Sequence, residues 1–301
     1  SQTAGYILDH IRICVVTQES GTSTLPQQQP KPLFGTQAYA NLLWAWVTAD
    51  RADHAAFGTV IRSLIQRQRS LLDDPPPPPA RDSRGNMNNV DTRPVPQVWS
   101  NSVWAFATAQ VYDGHEELLE FLAEMMDRDP DFVDRYKPQE LSNTVWAIAT
   151  LLSNQPTPIN PQTQASALVI LRQCARSMSR RASEFKTQEL SNTIWGLATL
   201  GFGLKPLADS GYNNYVVLAS QETDSDRELM QVAVDAIVRA AAIQLRRFQS
   251  QHLSNLAWAL ARLVDQNQKS EAVEHVLKGI GMQLCDQKRK ATSQDIGMVL
   301  W

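Results

Sequence analysis

The apolar and polar residues follow a helical period within one phrase that recurs along the chain. Counted from its first glutamine (position 0), the apolar residues at +2, +6, +9 and +13 form one stripe of a helix. Small or aromatic residues at +3, +7 and +10 form a second stripe beside it, which makes the apolar arc unusually wide. Because position +8 is always small, a second helix can approach closely, and we expect these helices to pack between neighbours. The residues at +8 are Ala45, Ala105, Ala147, Gly196 and Ala259.

The phrase occurs six times, and in every copy a tryptophan follows the glutamine by seven residues. An internal repeat of this length indicates a repeat architecture. The copies at Gln97 and Gln139 lie 42 residues apart, which leaves room for two helices and two turns. The copies start at Gln37, Gln97, Gln139, Gln188, Gln251 and Gln294.

A second, ordinary amphipathic helix is predicted after each phrase, which makes each repeat a pair of helices. The predicted second helices span residues 54–72, 115–128, 162–181, 227–248 and 271–286, and residues 5–16 resemble the second helix of a further unit. No segment alternates with a period of two residues between turns, so we expect essentially no sheet. The predicted fold class is all-α, a right-handed α-solenoid in which stacked helix pairs share one core.

We expect a single α-solenoid domain over residues 1–301 that is part of a longer protein. Insertions are predicted near residues 73–96, which include five consecutive prolines, and near residues 201–226, which are rich in Gly, Ser, Asn and Asp. No apolar run reaches the length of a membrane helix, so membrane insertion is not expected. Cys14, Cys174 and Cys285 lie far apart and fit core residues of a reducing compartment better than disulfides or a metal site.

The sequence offers little support for enzyme chemistry. Its five histidines are scattered at unrelated helical phases, and it contains no HExxH, no CxxC and no glycine-rich phosphate loop after a strand. We therefore expect no catalytic residues, no cofactor and no metal.

The repeated phrase resembles the octotricopeptide repeat, the helical repeat of organellar RNA-binding proteins in algae and apicomplexans. That repeat is akin to those of FAST-kinase-like and RAP-domain proteins. The resemblance spans Gln37 to Trp301 and is carried by copies such as QELSNTVWAIATL, QELSNTIWGLATLG and QHLSNLAWALARL. It implies an α-solenoid that binds single-stranded messenger or ribosomal RNA in a chloroplast or mitochondrion. The implied roles are transcript stability, processing, translation or ribosome assembly.

Basic residues gather near the ends of successive second helices, although the formal net charge of the chain is −3. If the repeats stack regularly, these residues form a discontinuous basic edge that binds RNA phosphates. They equally fit cations that complement the dipole at the C-terminal end of a helix, and the sequence leaves both interpretations open. The candidate phosphate contacts are Arg67, Arg69, Arg176, Arg180, Arg181, Arg246, Arg247, Lys288, Arg289 and Lys290.

The asparagine at +4 suits either a base contact or a ladder of hydrogen bonds between repeats. Because it hardly varies between copies, we favour the structural ladder. Its members are Asn41, Asn101, Asn143, Asn192 and Asn255. The polar residues at +1 and +5 vary more and are better candidates for base contacts. These candidates are Glu140, Thr144, Glu189, Thr193 and His252.

The tryptophan at +7 also has two interpretations, stacking on a base or packing in the core. Because it falls within the apolar arc of a crowded helix, we expect Trp146, Trp195 and Trp258 to be buried between repeats.

The resemblance and these patterns together lead to two candidate functions. The expected function is sequence-selective binding of single-stranded RNA in an organelle, with other proteins of a ribonucleoprotein complex as further partners. The alternative is a non-catalytic protein-interaction scaffold, or a structural subunit of an organellar ribosome or another large complex. The insertions and the acidic balance favour this alternative. A basic groove on the folded chain would support RNA, whereas an exposed apolar patch would support a protein partner.

Overall fold

The computed structural model of the chain describes residues 35–50, 54–73, 93–201, 218, 223–263 and 271–286. These ranges are helical and contain no strand, which confirms the all-α prediction. None of the described helices has the length and apolar character of a membrane span. The helices are α1 (Thr36–Thr48), α2 (His54–Asp73), α3 (Pro96–Ala109), α4 (His115–Arg128), α5 (Pro138–Asn154), α6 (Pro161–Arg181), α7 (Thr187–Thr199), α8 (Asp224–Gln244), α9 (Ser250–Leu263) and α10 (Glu271–Asp286).

Each described copy of the repeated phrase forms a helix, and these odd-numbered helices are called the first helices. Pro96 and Pro138 occupy the first turn of α3 and α5, where the missing N–H of proline has no helical partner to lose. In α5 and α7 a glutamate at +1 secures the N-terminus. Its carboxylate accepts a hydrogen bond of 2.8 Å from the backbone N–H of Lys137 or Lys186, the residue before the helix.

The even-numbered second helices follow the predicted bounds closely, with one difference at α8. This helix begins at Asp224, three residues before the predicted start, because the hydroxyl and backbone of Thr223 form a reciprocal cap with Asp226. It ends at Gln244 and continues as a 3-10 turn, Leu245–Arg247. The predicted helix over residues 5–16, the copy of the phrase at Gln294 and most of both insertions lie outside the described residues.

The chain divides into two compact units, residues 1–121 and 122–301, and the division falls within α4. In the first unit, α1 packs against both α2 and α3. In the second unit, α5 packs against α7 and α7 against α9, while α6 packs against α8 and α8 against α10. Each first helix of this unit also packs against the second helix that follows it, so the unit has two layers. The single-domain expectation over 1–301 stays a prediction.

The core of the second unit is built by the stripe at +2, +6 and +9, as the helical period predicts. Burying each of these aliphatic side chains stabilises the fold by about 1.5 to 3 kcal/mol relative to exposure. Nearly all of them are fully buried: Leu141, Val145, Ile148, Leu190, Ile194, Leu197, Leu253 and Leu260, with Ala257 at 7 % exposure.

The small residue at +8 has the predicted role of allowing close helix contact. A methyl group added to Gly196 in α7 would lie 3.0 Å from Cγ1 of Val145 and 3.1 Å from its carbonyl oxygen. Both distances are shorter than an ordinary van der Waals contact of a methyl carbon with a non-bonded carbon or oxygen. The backbone of α7 can therefore lie this close to α5 only because residue 196 has no side chain.

A 3-10 turn with a buried aromatic residue leads into each first helix of the second unit. The turns are Val133–Arg135, Ala182–Glu184 and Leu245–Arg247. The next residue in each case is aromatic and at most 2 % exposed. This turn was not predicted, although the sequence carries a signal for it, an aromatic residue three positions before the glutamine. These residues are Tyr136, Phe185 and Phe248.

A charged clamp joins two neighbouring second helices, α6 and α8. The guanidinium of Arg172 donates two hydrogen bonds to the carboxylate of Asp226, one of them 2.7 Å long between Nη2 and Oδ2. Asp226 is 5 % exposed. Burial by itself raises the pKa of this carboxyl, but the hydrogen bonds from Arg172 and Thr223 outweigh burial and lower the pKa to about 2.

The cysteine prediction is confirmed at one position and wrong at another. Cys174 on α6 is buried, and its burial raises the pKa of the thiol to about 12, which leaves it unreactive. Cys285 on α10 is exposed instead of in the core. Cys14 lies outside the described residues.

Candidate nucleic-acid interface

The glutamine, asparagine and tryptophan at positions 0, +4 and +7 lie along one face of each first helix. We call this face the polar–aromatic stripe. In the second unit each of its residues is exposed or half-buried, whereas the positions on the opposite face are buried. Its members there are Gln139, Asn143, Trp146, Gln188, Asn192, Trp195, Gln251, Asn255 and Trp258.

The prediction that the tryptophans at +7 are buried between repeats is wrong. Trp146, Trp195 and Trp258 are half-buried, and in the first unit Trp44 is 47 % exposed. Because a helix has 3.6 residues per turn, position +7 lies about 20° from the glutamine and about 130° from the middle of the core stripe. Within the part of the chain that the structure describes, the two tryptophans outside this phase, Trp46 and Trp99, are the buried ones.

The indoles of Trp195 and Trp258, on the adjacent helices α7 and α9, stack on each other. Their ring centroids are 6.3 Å apart and their planes meet at 29°. This separation is typical of offset-stacked aromatic pairs, so no base fits between the two rings. The guanidinium carbon of Arg262 lies 4.9 Å from the Trp258 centroid and adds a cation–π contact. Trp195 and Arg262 therefore both cover the ring of Trp258, and the π surface of the pair is exposed only in part.

The hydrogen-bond ladder between first helices is formed by serine at +3, not by asparagine at +4. The buried hydroxyl of Ser142 in α5 donates to the carbonyl oxygen of Glu189 in α7 over 3.0 Å. The hydroxyl of Ser191 in α7 donates to the carbonyl oxygen of His252 in α9 over 3.2 Å. Serine takes this role because position +3 faces the neighbouring first helix and its short hydroxyl reaches the backbone there.

The asparagine side chains predicted to form the ladder lie at the surface instead. Asn143, Asn192 and Asn255 are half-buried, and within the described ranges their amides make no hydrogen bond to another residue. In the first unit, Asn101 is also half-buried, and Asn41 accepts a hydrogen bond of 2.9 Å from Nε2 of Gln37 in its own helix. The amides of the second unit are therefore open to a ligand.

The residues predicted to contact bases are placed mostly inside the fold. Glu140 and Glu189 are 8 % exposed and hold the helix N-termini, while the Thr144 hydroxyl bonds to the carbonyl of Glu140 over 2.8 Å. Thr193 is fully buried. Their burial argues against contact with a base, and these four side chains do not lie on the stripe.

His252 is the exception among the predicted base contacts, because it is half-buried rather than enclosed. Its ring meets that of Phe248 edge to face, with centroids 6.5 Å apart. Desolvation by burial lowers its pKa, so the imidazole is neutral at physiological pH.

The basic edge is partly neutralised by neighbouring acids. Arg180 forms an ion pair of 2.7 Å with Asp134, and Arg181 pairs with Glu184 at 2.9 Å and also bonds to the carbonyl of Tyr136. Exposed ion pairs of this kind contribute about 0 to 1 kcal/mol to stability. A phosphate can therefore replace Asp134 as the partner of Arg180. Arg181 is less exposed and holds the 3-10 turn in place.

Arg246 and Arg247 are the most available cations of the predicted basic edge. Both are exposed, and neither side chain has an acidic partner within the described residues. They lie in the 3-10 turn directly before α9, near the start of its polar–aromatic stripe. Arg176 bonds to Gln173 over 3.3 Å, and Lys288, Arg289 and Lys290 lie outside the described residues.

The first unit contributes two further candidates. Arg69 lies over the ring of Phe121, with its guanidinium carbon 5.1 Å from the centroid, and Arg67 is half-buried. Both arginines belong to α2, in the first unit.

A comparison with models of known protein families gives no match. A comparison with curated proteins gives no match either.

Proposed function

We propose that this chain binds single-stranded RNA without catalysis, through the polar–aromatic stripes of an octotricopeptide-like, right-handed α-solenoid. The observation that supports the proposal is the partly exposed Trp195–Trp258 stack with open asparagine amides beside it. Proteins that bind single-stranded nucleic acid combine aromatic stacking surfaces with nearby cations, and each stacked base contributes about 1 to 3 kcal/mol.

Three arginines lie close to the polar–aromatic stripe of α9. Arg246 and Arg247 precede α9, and Arg262 lies beside its tryptophan. A base that stacks on the exposed part of this pair brings the neighbouring phosphates towards these side chains. The chain as a whole carries a net charge of −3, so binding depends on this local arrangement and not on bulk charge.

The test is fluorescence anisotropy of a labelled, unstructured RNA of about 20 nucleotides, titrated with the protein at several salt concentrations. Trp195→Ala and Trp258→Ala are expected to weaken binding strongly, whereas Ile243→Ala on the outer helix α8 is the matched control. Binding that is absent at low salt, or unaffected by both tryptophan changes, contradicts the proposal.

We further propose a chloroplast or mitochondrial location, with a role in transcript stability, processing, translation or ribosome assembly. The support is the resemblance of the phrase to the octotricopeptide repeat. Imaging the full-length protein with a fluorescent tag and co-stained organelles tests the location. A cytosolic signal contradicts it.

One observation favours the second candidate, a protein-interaction scaffold or a structural subunit of an organellar ribosome. Val232 and Ile243 on α8 are 52 % and 86 % exposed, and Met282 on α10 is 72 % exposed. Single exposed apolar side chains are common on protein surfaces, so these three support a partner less strongly than the stripe supports RNA.

A further inference from the structure

Six carboxamides on the first helices of the second unit have no partner among the described residues. The glutamines at position 0 are exposed and the asparagines at +4 are half-buried. No hydrogen bond from another described residue reaches any of these amides, so each offers two donors and one acceptor to a ligand. The six residues are Gln139, Asn143, Gln188, Asn192, Gln251 and Asn255.

The polar–aromatic stripe of these three helices carries no acidic side chain. Positions 0, +4 and +7 hold only amides and indoles, and position +11, one turn further along, is Thr150, Thr199 or Arg262. A polyanion therefore meets no like charge on the stripe. At α9 it also meets Arg246 and Arg247, which directly precede the helix.

The stripe lacks contacts that would distinguish one base from another. The faces of Trp195 and Trp258 are partly covered, and a carboxamide can turn to match the donors and acceptors of any base. The same amide and indole recur on each helix, so successive repeats present the same contacts. The polar residues at +1 and +5 of α5 and α7 are at most 8 % exposed: Glu140, Thr144, Glu189 and Thr193.

A carboxamide does match the groups that every nucleotide of RNA shares. Phosphate oxygens accept from the amide N–H groups, and the ribose 2′-hydroxyl can donate to the amide oxygen. DNA has no 2′-hydroxyl, so along its backbone no group donates to that oxygen. Contacts of this kind distinguish RNA from DNA and not one base from another.

We propose that the polar–aromatic stripe of the second unit binds the ribose and phosphate groups of single-stranded RNA, and so selects RNA over DNA without regard to base sequence. The carboxamide oxygens accept from 2′-hydroxyls, and the amide N–H groups donate to phosphate oxygens. The proposal rests on the RNA-binding function proposed above and names the part of the ligand that is recognised.

The first experiment tests the indifference to sequence with the unmodified protein. Labelled RNAs of about 15 nucleotides, the upper range of a single-strand site, are compared by anisotropy at one salt concentration. They consist of adenine, cytosine or uracil alone, or of a mixed sequence. Their affinities are expected to agree within about fivefold, because one matched base contact would by itself discriminate by about that factor or more.

The second experiment tests the 2′-hydroxyl. The mixed RNA is compared with the same sequence as DNA and as 2′-fluoro RNA, which keeps the sugar conformation of RNA but has no 2′ donor. Both are expected to bind at least about fivefold more weakly, because each lost hydrogen bond weakens binding by about two- to tenfold and several are lost.

The third experiment changes the amides. Gln188→Leu and Asn192→Leu are each expected to weaken binding of the RNA more than binding of 2′-fluoro RNA, so that the ratio of the two affinities falls. Gln162→Leu is the matched control, because Gln162 is an exposed glutamine at the second residue of α6, as Gln188 is of α7, but lies on a second helix. It is expected to leave the ratio unchanged. Circular dichroism of each variant checks that the helices form.

The outcomes separate this proposal from the one on which it rests. A preference of more than about fivefold for one of the RNAs shows that bases are distinguished, and overturns the indifference to sequence while RNA binding stands. Equal affinity for RNA and 2′-fluoro RNA, or a ratio that both stripe variants leave unchanged, overturns the ribose contact. A protein that binds none of the RNAs overturns both proposals.

Discussion

The hydroxyl of Ser142 donates to the backbone carbonyl of Glu189 in the next first helix, 3.0 Å away. Ser191 repeats the contact one helix further along, to the carbonyl of His252. Glu189 is itself bonded to the backbone at the start of α7, so the two contacts join the first turns of successive first helices into one network.

Removing this serine contact is expected to destabilise the second unit. Ser142→Ala leaves the buried carbonyl of Glu189 with one partner fewer, at an expected loss of about 0.5 to 1.5 kcal/mol in the free energy of unfolding. Urea denaturation followed by circular dichroism measures the change. Ser179→Ala is the control, because the Ser179 hydroxyl bonds only to Arg176 in its own helix, and a loss of equal size there would contradict the prediction.

Because the tryptophans are half-buried, we expect them to contribute more to RNA affinity than to the stability of the fold. Trp195→Ala is expected to reduce stability less than Ile194→Ala, which empties a fully buried site and destabilises by about 2 to 5 kcal/mol. RNA affinity is expected to follow the opposite order, with the larger loss for Trp195→Ala. Paired urea melts and anisotropy titrations of the two variants test this, and a reversed order in either measurement contradicts it.

The cations of the basic edge are expected to contribute unequally. Arg246→Ala and Arg247→Ala remove side chains without an acidic partner in the described residues, so each is expected to reduce the slope of log affinity against log salt by about 0.7. Arg181→Ala is expected to change the slope little and to lower stability, because that guanidinium bonds to Glu184 and to the carbonyl of Tyr136. If all three variants and the unmodified protein show the same salt dependence of RNA affinity, the RNA phosphates bind elsewhere on the protein.

Because of the Arg172–Asp226 clamp, the free energy of unfolding is expected to depend on pH in the acid range. The folded pKa of Asp226, about 2, is below the ordinary value of 3.8, so the clamp contributes fully above about pH 4. Its contribution of about 2 kcal/mol is lost as the pH falls from 4 towards 2. Urea melts at pH 6 and pH 3 are expected to show a smaller acid-induced loss in Asp226→Asn than in the unmodified protein. Asp224→Asn, at a carboxylate 95 % exposed, is expected to match the unmodified protein.

The sequence predicted the helices well, because caps, prolines and the 3.6-residue period act locally. Val145 and Ile194 lie in the core as their positions require, and Gly196 allows the expected close approach. The prediction failed for Trp195, which lies at the edge of the wide apolar arc. Position +7 is about 40° from the buried serine at +3 and about 20° from the exposed glutamine, so the position of the neighbouring helix decides whether the tryptophan is buried.

The reversed roles of serine and asparagine have a similar origin. Both residues occur in the same three-letter motif, Leu-Ser-Asn, and both side chains can bond across to a neighbour. Which of them does so depends on the direction in which the next helix lies, and that direction is a property of packing. The aromatic residue before each first helix of the second unit was not predicted for a simpler reason, since it lies outside the helical period of the repeated phrase.

The clamp between Arg172 and Asp226 has a consequence for the long insertion between α7 and α8. Because Asp226 caps α8 and is held by α6, the start of α8 is fixed by a helix that precedes the insertion in the chain. Doubling a flexible loop adds only about 0.6 kcal/mol of closure entropy. The start of α8 is thus held by α6 and not only by the chain that joins it to α7, so a change in the length of that connection is expected to alter the position of α8 little.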